Sequence, residues 1–250
     1  MIRLENIELE REVMDKRLHI ALPFDITIHE NETDPDKRID ILVYSFCVDI
    51  AKAFLCRFAD NPLGEEASRW LREQIDPFMP GYETAETDCH YFEYRTYGLP
   101  ARDTAPAEFT LTLTAQDYRN ADPYIELDAF EIEADNPDDG MALVRDGEKI
   151  VAFAAVNDVQ EDALIEINVE CAPDYRRRGY GLACTACLTR HFNEMGKGVK
   201  YICDTDNLPS VHLAEKAGFD RYSTRFPLVY YRIDPPCADE KDDEEVLYGI

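Results

Sequence analysis

Six consecutive residues, Arg176-Arg177-Arg178-Gly179-Tyr180-Gly181, follow an apolar stretch and precede a helical one in the spacing R-x-x-G-x-G. Glycines at a strand-to-helix turn let a ligand come close to the backbone. The first turn of the helix then offers unsatisfied N–H groups and the positive end of its dipole. That combination is a receptor for phosphate. No Gly-Lys-Ser/Thr follows, so this is not a P-loop, and the third glycine of a dinucleotide fingerprint is missing. A second cluster, Cys184-x-x-Cys187-x-x-x-His191, has helical spacing that could face a metal. All its ligands would come from one helix with no second half-site, so packing of small residues against a sheet is the better reading, and no metal is expected.

These residues need elements to hold them. Residues 141–145 and 150–156 are apolar runs joined by Asp146-Gly147-Glu148-Lys149, a hairpin signal, because Asp-Gly readily adopts positive φ. Residues 163–170 alternate, with Ile165, Ile167 and Val169 on one face and Leu164, Glu166, Asn168 and Glu170 on the other. A helix over 181–195, a strand over 200–203, a helix over 210–217 stopped by Gly218 and a strand over 228–233 complete the order. Strands flanking the long helix should be parallel through a crossover, and the earlier ones an antiparallel meander. Upstream, 109–114 (FTLTLT) reads as a strand, followed by a helical or irregular stretch opened by Thr114. Before that, 18–29 reads as a strand broken at Pro23, and 39–58 and 65–75 as helices. A short aromatic strand lies around 90–94, where Tyr91, Phe92 and Tyr94 could line a pocket or be half-buried strand; Trp70 reads as core.

The chain from about residue 108 to 233 resembles the GNAT acetyltransferase superfamily, best over Leu164 to Phe219. Two motifs carry the resemblance. Arg176-x-x-Gly179-x-Gly181 matches the family's Q/R-x-x-G-x-G/A signature at the head of its central helix. Asn207-x-x-Ser210, followed by Glu215-Lys216-Ala217-Gly218-Phe219, matches its N-x-x-A/S…E-K-x-G-F run. The resemblance implies an α/β fold, a mixed and largely antiparallel sheet flanked by helices. It would span 106–234, with an N-terminal α+β extension over 1–105 of unknown role and an acidic tail over 235–250.

It also implies residue roles. Amides of Arg177, Arg178, Gly179, Tyr180, Gly181 and Leu182 would take the pyrophosphate of acetyl-CoA, with the side chains of Arg176, Arg177 and Arg178 adding charge. Val169, Glu170 and Cys171 would pair with the pantetheine arm, and an amide near Val169 or Glu170 would polarise the thioester carbonyl. Asn207, with Ser210 in the same motif, would reach the coenzyme. Glu166 stands where family members often carry the carboxylate that takes a proton from the acceptor amine. A solvated strand carboxylate is the alternative, and Glu170 and Asn168 are rivals for the role. Cys171 would be a neutral neighbour of the pantetheine rather than a nucleophile, having no histidine base beside it in the sequence. Many members protonate the leaving thiolate with a tyrosine on the last helix. Ala214 stands at that position, leaving Tyr230, Tyr231, His212 and Cys203 as candidates, or no dedicated acid. The implied activity is transfer of an acetyl or other short acyl group from coenzyme A to a primary amine; the alternative is a module that binds acyl-CoA without transferring it.

Composition limits the partners. Acidic side chains number 52 against 26 basic ones, giving a net charge of −26. Such a surface repels nucleic acid and anionic membranes and suits a small-molecule amine or a basic peptide, although solubility alone would also explain it. A homodimer is left open. Eight cysteines, most inside apolar segments, together with a charged N-terminus, point to reduced, buried thiols in a cytoplasmic protein. No stretch reads as a membrane span.

Overall fold

A computed structural model describes residues 3–7 (backbone only), 20–30, 32–33, 38–84, 90–98, 105–130, 132–133, 135–159 and 164–233. The expected acidic tail, Cys89 and Cys237 lie outside the described residues. The chain forms two compact units, one of residues 1–91 with 223–250, the other of residues 92–222.

In the first unit, strands β1 (Arg3–Ile7), β2 (Ile20–His29), β3 (Ile39–Tyr44), β4 (Tyr82–Thr84) and the greater part of β11 (Asp220–Arg232) form a sheet. β2 is antiparallel to β3 and β11, while β1 adds in parallel to β3. Helices α1 (Val48–Phe58) and α2 (Glu65–Ile75) bury Ala51, Phe54 and Phe58, and Ala67, Leu71 and Ile75, stripes that recur at helical spacing. Trp70 is partly buried against this core. Two sequence expectations need correction here. The segment 39–58 is not one helix: Ile39, Ile41 and Val43 alternate inward as β3, and helix begins only at Val48. A β-branched run that alternates favours strand, and its apolar residues at both spacings had blurred the two periods. Nor does Pro23 break β2. The β2–β11 register shifts between Leu228 and Tyr230, so the proline lies at a bulge where no ladder donor is required.

The second unit holds β5 (Tyr91–Thr96, from Phe92 on), β6 (Glu108–Thr110), β7 (Met141–Asp146), β8 (Lys149–Val159), β9 (Leu164–Cys171) and β10 (Gly198–Asp204), in the order β5-β10-β9-β8-β7-β6. β6 to β9 are an antiparallel meander, and β9 and β10 are parallel, as expected. The β7–β8 hairpin turns at Gly147, whose φ is +63°. The strand expected over 109–114 stops at Thr110, because the Thr110 hydroxyl and the Thr112 backbone bond each other locally and offer the chain an alternative to the ladder. Thr114 and Asp117 then form a capping box that opens α3 (Ala115–Asn120).

Helices α4 (Tyr180–Glu194) and α5 (Leu208–Ala217) cover one face of this sheet. Ile165, Ile167, Val199, Tyr201 and Cys203 point toward them, with Ala183, Cys184, Leu188, Phe192 and Ala214. On the other face Leu143, Phe153 and Ala155 are covered by Ile125 and Leu127 of the 121–130 segment.

Candidate active site

The site forms where β9 and β10 part. They share only three rungs, Leu164–Gly198, Ile165–Val199 and Glu166–Lys200, although β9 runs on to Cys171 and β10 to Asp204. The opposite edge of β9 stays paired with β8 through Cys171. Beyond Glu166, therefore, β9 presents an unpaired backbone edge facing a wedge, a template for an extended ligand.

Helix α4 starts at this wedge. Arg177 has φ +62° and Gly179, the N-cap, φ +84°, so the chain turns left-handed twice before the helix. The first helical bond runs from Ala183 N–H to Gly179 O, leaving the amides of Tyr180, Gly181 and Leu182 without intrahelical acceptors. A Cβ on Gly179 would meet nothing within 4 Å, so its backbone turn, not crowding, favours glycine. A Cβ on Gly181 would stand 3.8 Å from both Val169 Cγ1 and Leu213 Cδ2. The helix start, the end of β9 and α5 thus converge at one point, bringing Val169, Cys171 and Gly181 together.

The arginines are partly committed to the fold. Arg176 donates from Nε to Cys171 O (3.0 Å), and Arg178 donates to Asp174 O (2.8 Å) while lying over the Tyr175 ring. Arg177 is exposed. Burial pushes the Cys171 thiol up, against the opposing pull of Arg176, the Gly181 amide and Arg178. That environment suits an inert neighbour. Asn207 caps α5, its Oδ1 accepting from Ser210 N–H (3.3 Å), and the Ser210 hydroxyl pairs with Tyr201. Both therefore have a structural task at a second helix start.

The carboxylates have distinct surroundings. Glu166 accepts from Lys200 Nζ at 2.6 Å and from Asn157 Nδ2 at 3.0 Å, and its side chain is only 14% exposed. Glu170 accepts from the backbone N–H of Glu126 (2.8 Å), tying the 121–130 segment to the sheet. Asn168 stands between them on the same strand face, partly buried. Lys200 went unnoticed in the sequence. Its position in an otherwise apolar strand, VKYIC, was the available signal.

The other candidates separate by place. Ala214 is 1% exposed inside the core. His212 is exposed on α5, and Cys203 is buried, which pushes its thiol up to about 11. Tyr230 and Tyr231 belong to the first unit; Tyr230 is buried and donates to Asp76 (2.6 Å), while Tyr231 is exposed. The six described cysteines are free: Cys47, Cys184 and Cys203 are buried, Cys171 and Cys187 half-buried, and Cys56 exposed. Among the described residues no group of three or more His, Cys, Asp or Glu is arranged to hold a metal, and no helix is long and apolar enough to cross a membrane.

The unit is α/β, with parallel strands that part and a glycine-capped helix at the gap. Residues 107–219 match the model of the Acetyltransferase (GNAT) family, and this segment is a GNAT acetyltransferase domain. Among solved structures the chain is similar to a GCN5-related N-acetyltransferase from Kribbella flavida, at 16% identity over 91% of this chain and 94% of that one, TM-score 0.46. It is also similar to one from Sphaerobacter thermophilus, at 17% identity over 69% of this chain and 58% of that one, TM-score 0.46. A third is an acetyltransferase of the GNAT family from Colwellia psychrerythraea, at 12% identity over 74% of each chain, TM-score 0.45. The chain thus spans little more than half the length of the Sphaerobacter protein. No curated protein matches it significantly.

Proposed function

We propose that the chain transfers an acetyl or other short acyl group from coenzyme A to a primary amine by direct attack within a ternary complex. The observation that carries this reading is the wedge between β9 and β10, with the first-turn amides of α4, which have no intrahelical acceptor, at its mouth. The pantetheine arm would add to the open edge of β9 as a pseudo-strand at Val169 to Cys171. Its pyrophosphate would lie on the amides from Arg177 to Leu182, within reach of the exposed Arg177. Asn207 and Ser210 would flank the coenzyme from the start of α5. Glu166 takes one proton from the acceptor's ammonium. The freed nitrogen attacks the thioester carbonyl carbon, an amide near Val169 or Glu170 stabilises the oxyanion, and the C–S bond breaks. The nitrogen sheds its second proton as the amide forms, and the departing coenzyme A thiolate takes up a proton through water, since Ala214 supplies no acid. The acceptor is a small amine or a basic peptide, chosen in part by the acidic surface.

One observation favours a second reading, a module that binds acyl-CoA without transferring it: a buried alanine occupies the position where the family commonly carries a tyrosine acid. A screen of amines and basic peptides with acetyl-CoA, reading thiol release, separates the two. Thiol release with at least one acceptor is the expected result. Tight acetyl-CoA binding with no release across the screen would replace transfer with the binding reading.

A further inference from the structure

Lys200 is 4% exposed, an unusual state for an ammonium unless it is paired. It occupies the last rung that β9 and β10 share, directly beside Glu166, and its Nζ lies 2.6 Å from Glu166 Oε2. The other carboxylate oxygen, Oε1, accepts from Asn157. Asn157 is the extra residue of a β8 bulge, since the β8–β9 register jumps from Val156–Ile167 to Asp158–Glu166. A bulge re-aims a side chain at the cost of a ladder bond, and here it brings the amide onto Glu166. The same jump sets Asp158 across from Glu166. Two carboxylates as cross-strand neighbours repel each other. Lys200, arriving from the third strand, offsets that repulsion. Three strands therefore converge on one carboxylate at the point where the wedge opens.

We propose that Lys200, helped by Asn157, is a positioning residue for acyl transfer: it holds the Glu166 carboxylate fixed at the mouth of the wedge. The inference rests on the reading of Glu166 as the base. A purely structural ion pair would have no need of the bulged asparagine or of this place in the sheet. The clamp leaves the carboxylate able to accept, because each oxygen keeps a lone pair beyond the one in use. It also fixes the direction from which an amine must approach.

The test uses the full chain and the amine that releases thiol fastest in the screen. In Lys200→Gln and Lys200→Met, kcat should fall about tenfold or more, while KM for acetyl-CoA and the thermal shift it produces stay near those of the parent. The double variant Glu166→Gln/Lys200→Met should be no slower than Glu166→Gln alone, because residues acting as a unit are not additive. Should the lysine variants fail to fold, Asn157→Ala, an exposed position, carries the test with a several-fold loss of kcat at unchanged acetyl-CoA KM. If Glu166→Gln is slow but the Lys200 and Asn157 variants turn over at the parent rate, or if the losses multiply in the double variant, the clamp is overturned and the base stands. If Glu166→Gln itself keeps the parent rate, the base assignment fails, and the clamp with it.

Discussion

Gly179 has open space around its missing side chain and a backbone φ of +84°. The two facts separate conformation from ligand access. Gly179→Ala adds a methyl that meets no atom, so its cost is the left-handed turn, about 1–2 kcal/mol. Acetyl-CoA should still raise its melting temperature by mass action. Gly179→Glu adds the same strain, and also a negative charge where the pyrophosphate would lie, so the shift should vanish. Thermal melts of both variants with and without acetyl-CoA check this, and an undiminished shift in Gly179→Glu would move the coenzyme elsewhere. Much of the site was legible at this scale, because R-x-x-G-x-G and N-x-x-S are local patterns whose physics is local. The partners of Glu166 were not. Lys200 and Asn157 reach it across strands 34 and 9 residues away in the chain, and only the register joins them.

Among the elements, the segment from β7 to α5 followed its periodicities closely, since each run there carries one clear period. The failures came where two periods or a proline overlapped, as in 39–58, or where a local hydroxyl competed with the ladder, as after Thr110. The strand expected over 228–233 begins eight residues earlier, because Pro227 reads as a breaker in sequence yet is accommodated within β11. Helix α5 offers a test that divides structure from function. Asn207 is its N-cap. Asn207→Ala should cost about 1 kcal/mol in chemical denaturation, whereas Asn207→Asp keeps a good cap and should leave stability near the parent. If Asn207 also touches the coenzyme, the aspartate should weaken acetyl-CoA binding through its charge. Equal acetyl-CoA affinity in Asn207→Asp and the parent would reduce Asn207 to a cap alone.

Two properties belong to the molecule as a whole. Buried thiols occur in both compact units: Cys47 is pushed up to about 12 and Cys203 to about 11, in each case chiefly by burial. A thiol raised in the folded state contributes stability that is full below its unfolded value, near 9, and is lost as pH rises toward the folded one. Stability should therefore decline between roughly pH 9 and 12 as the unfolded chain gains thiolates that the native cores refuse. Denaturant midpoints measured from pH 8 upward, with Cys47→Ala as a control that flattens part of the slope, would show it; an identical slope in the control would remove Cys47 from the account. The second property is the charge of −26. Such a field concentrates cations near the surface and repels anions, and salt screens it over a Debye length of about 10 Å at 0.1 M. If the acceptor is a cationic amine, its apparent KM should rise with ionic strength. Acetyl-CoA, which carries its own negative phosphates, should bind at least as well in added salt. The opposite signs matter, because a general loss of stability in salt would weaken both substrates together. Initial rates at 20 to 500 mM salt, varying one substrate at a time, measure the two responses. An acceptor KM that does not change with salt would leave the acidic surface with solubility as its only task.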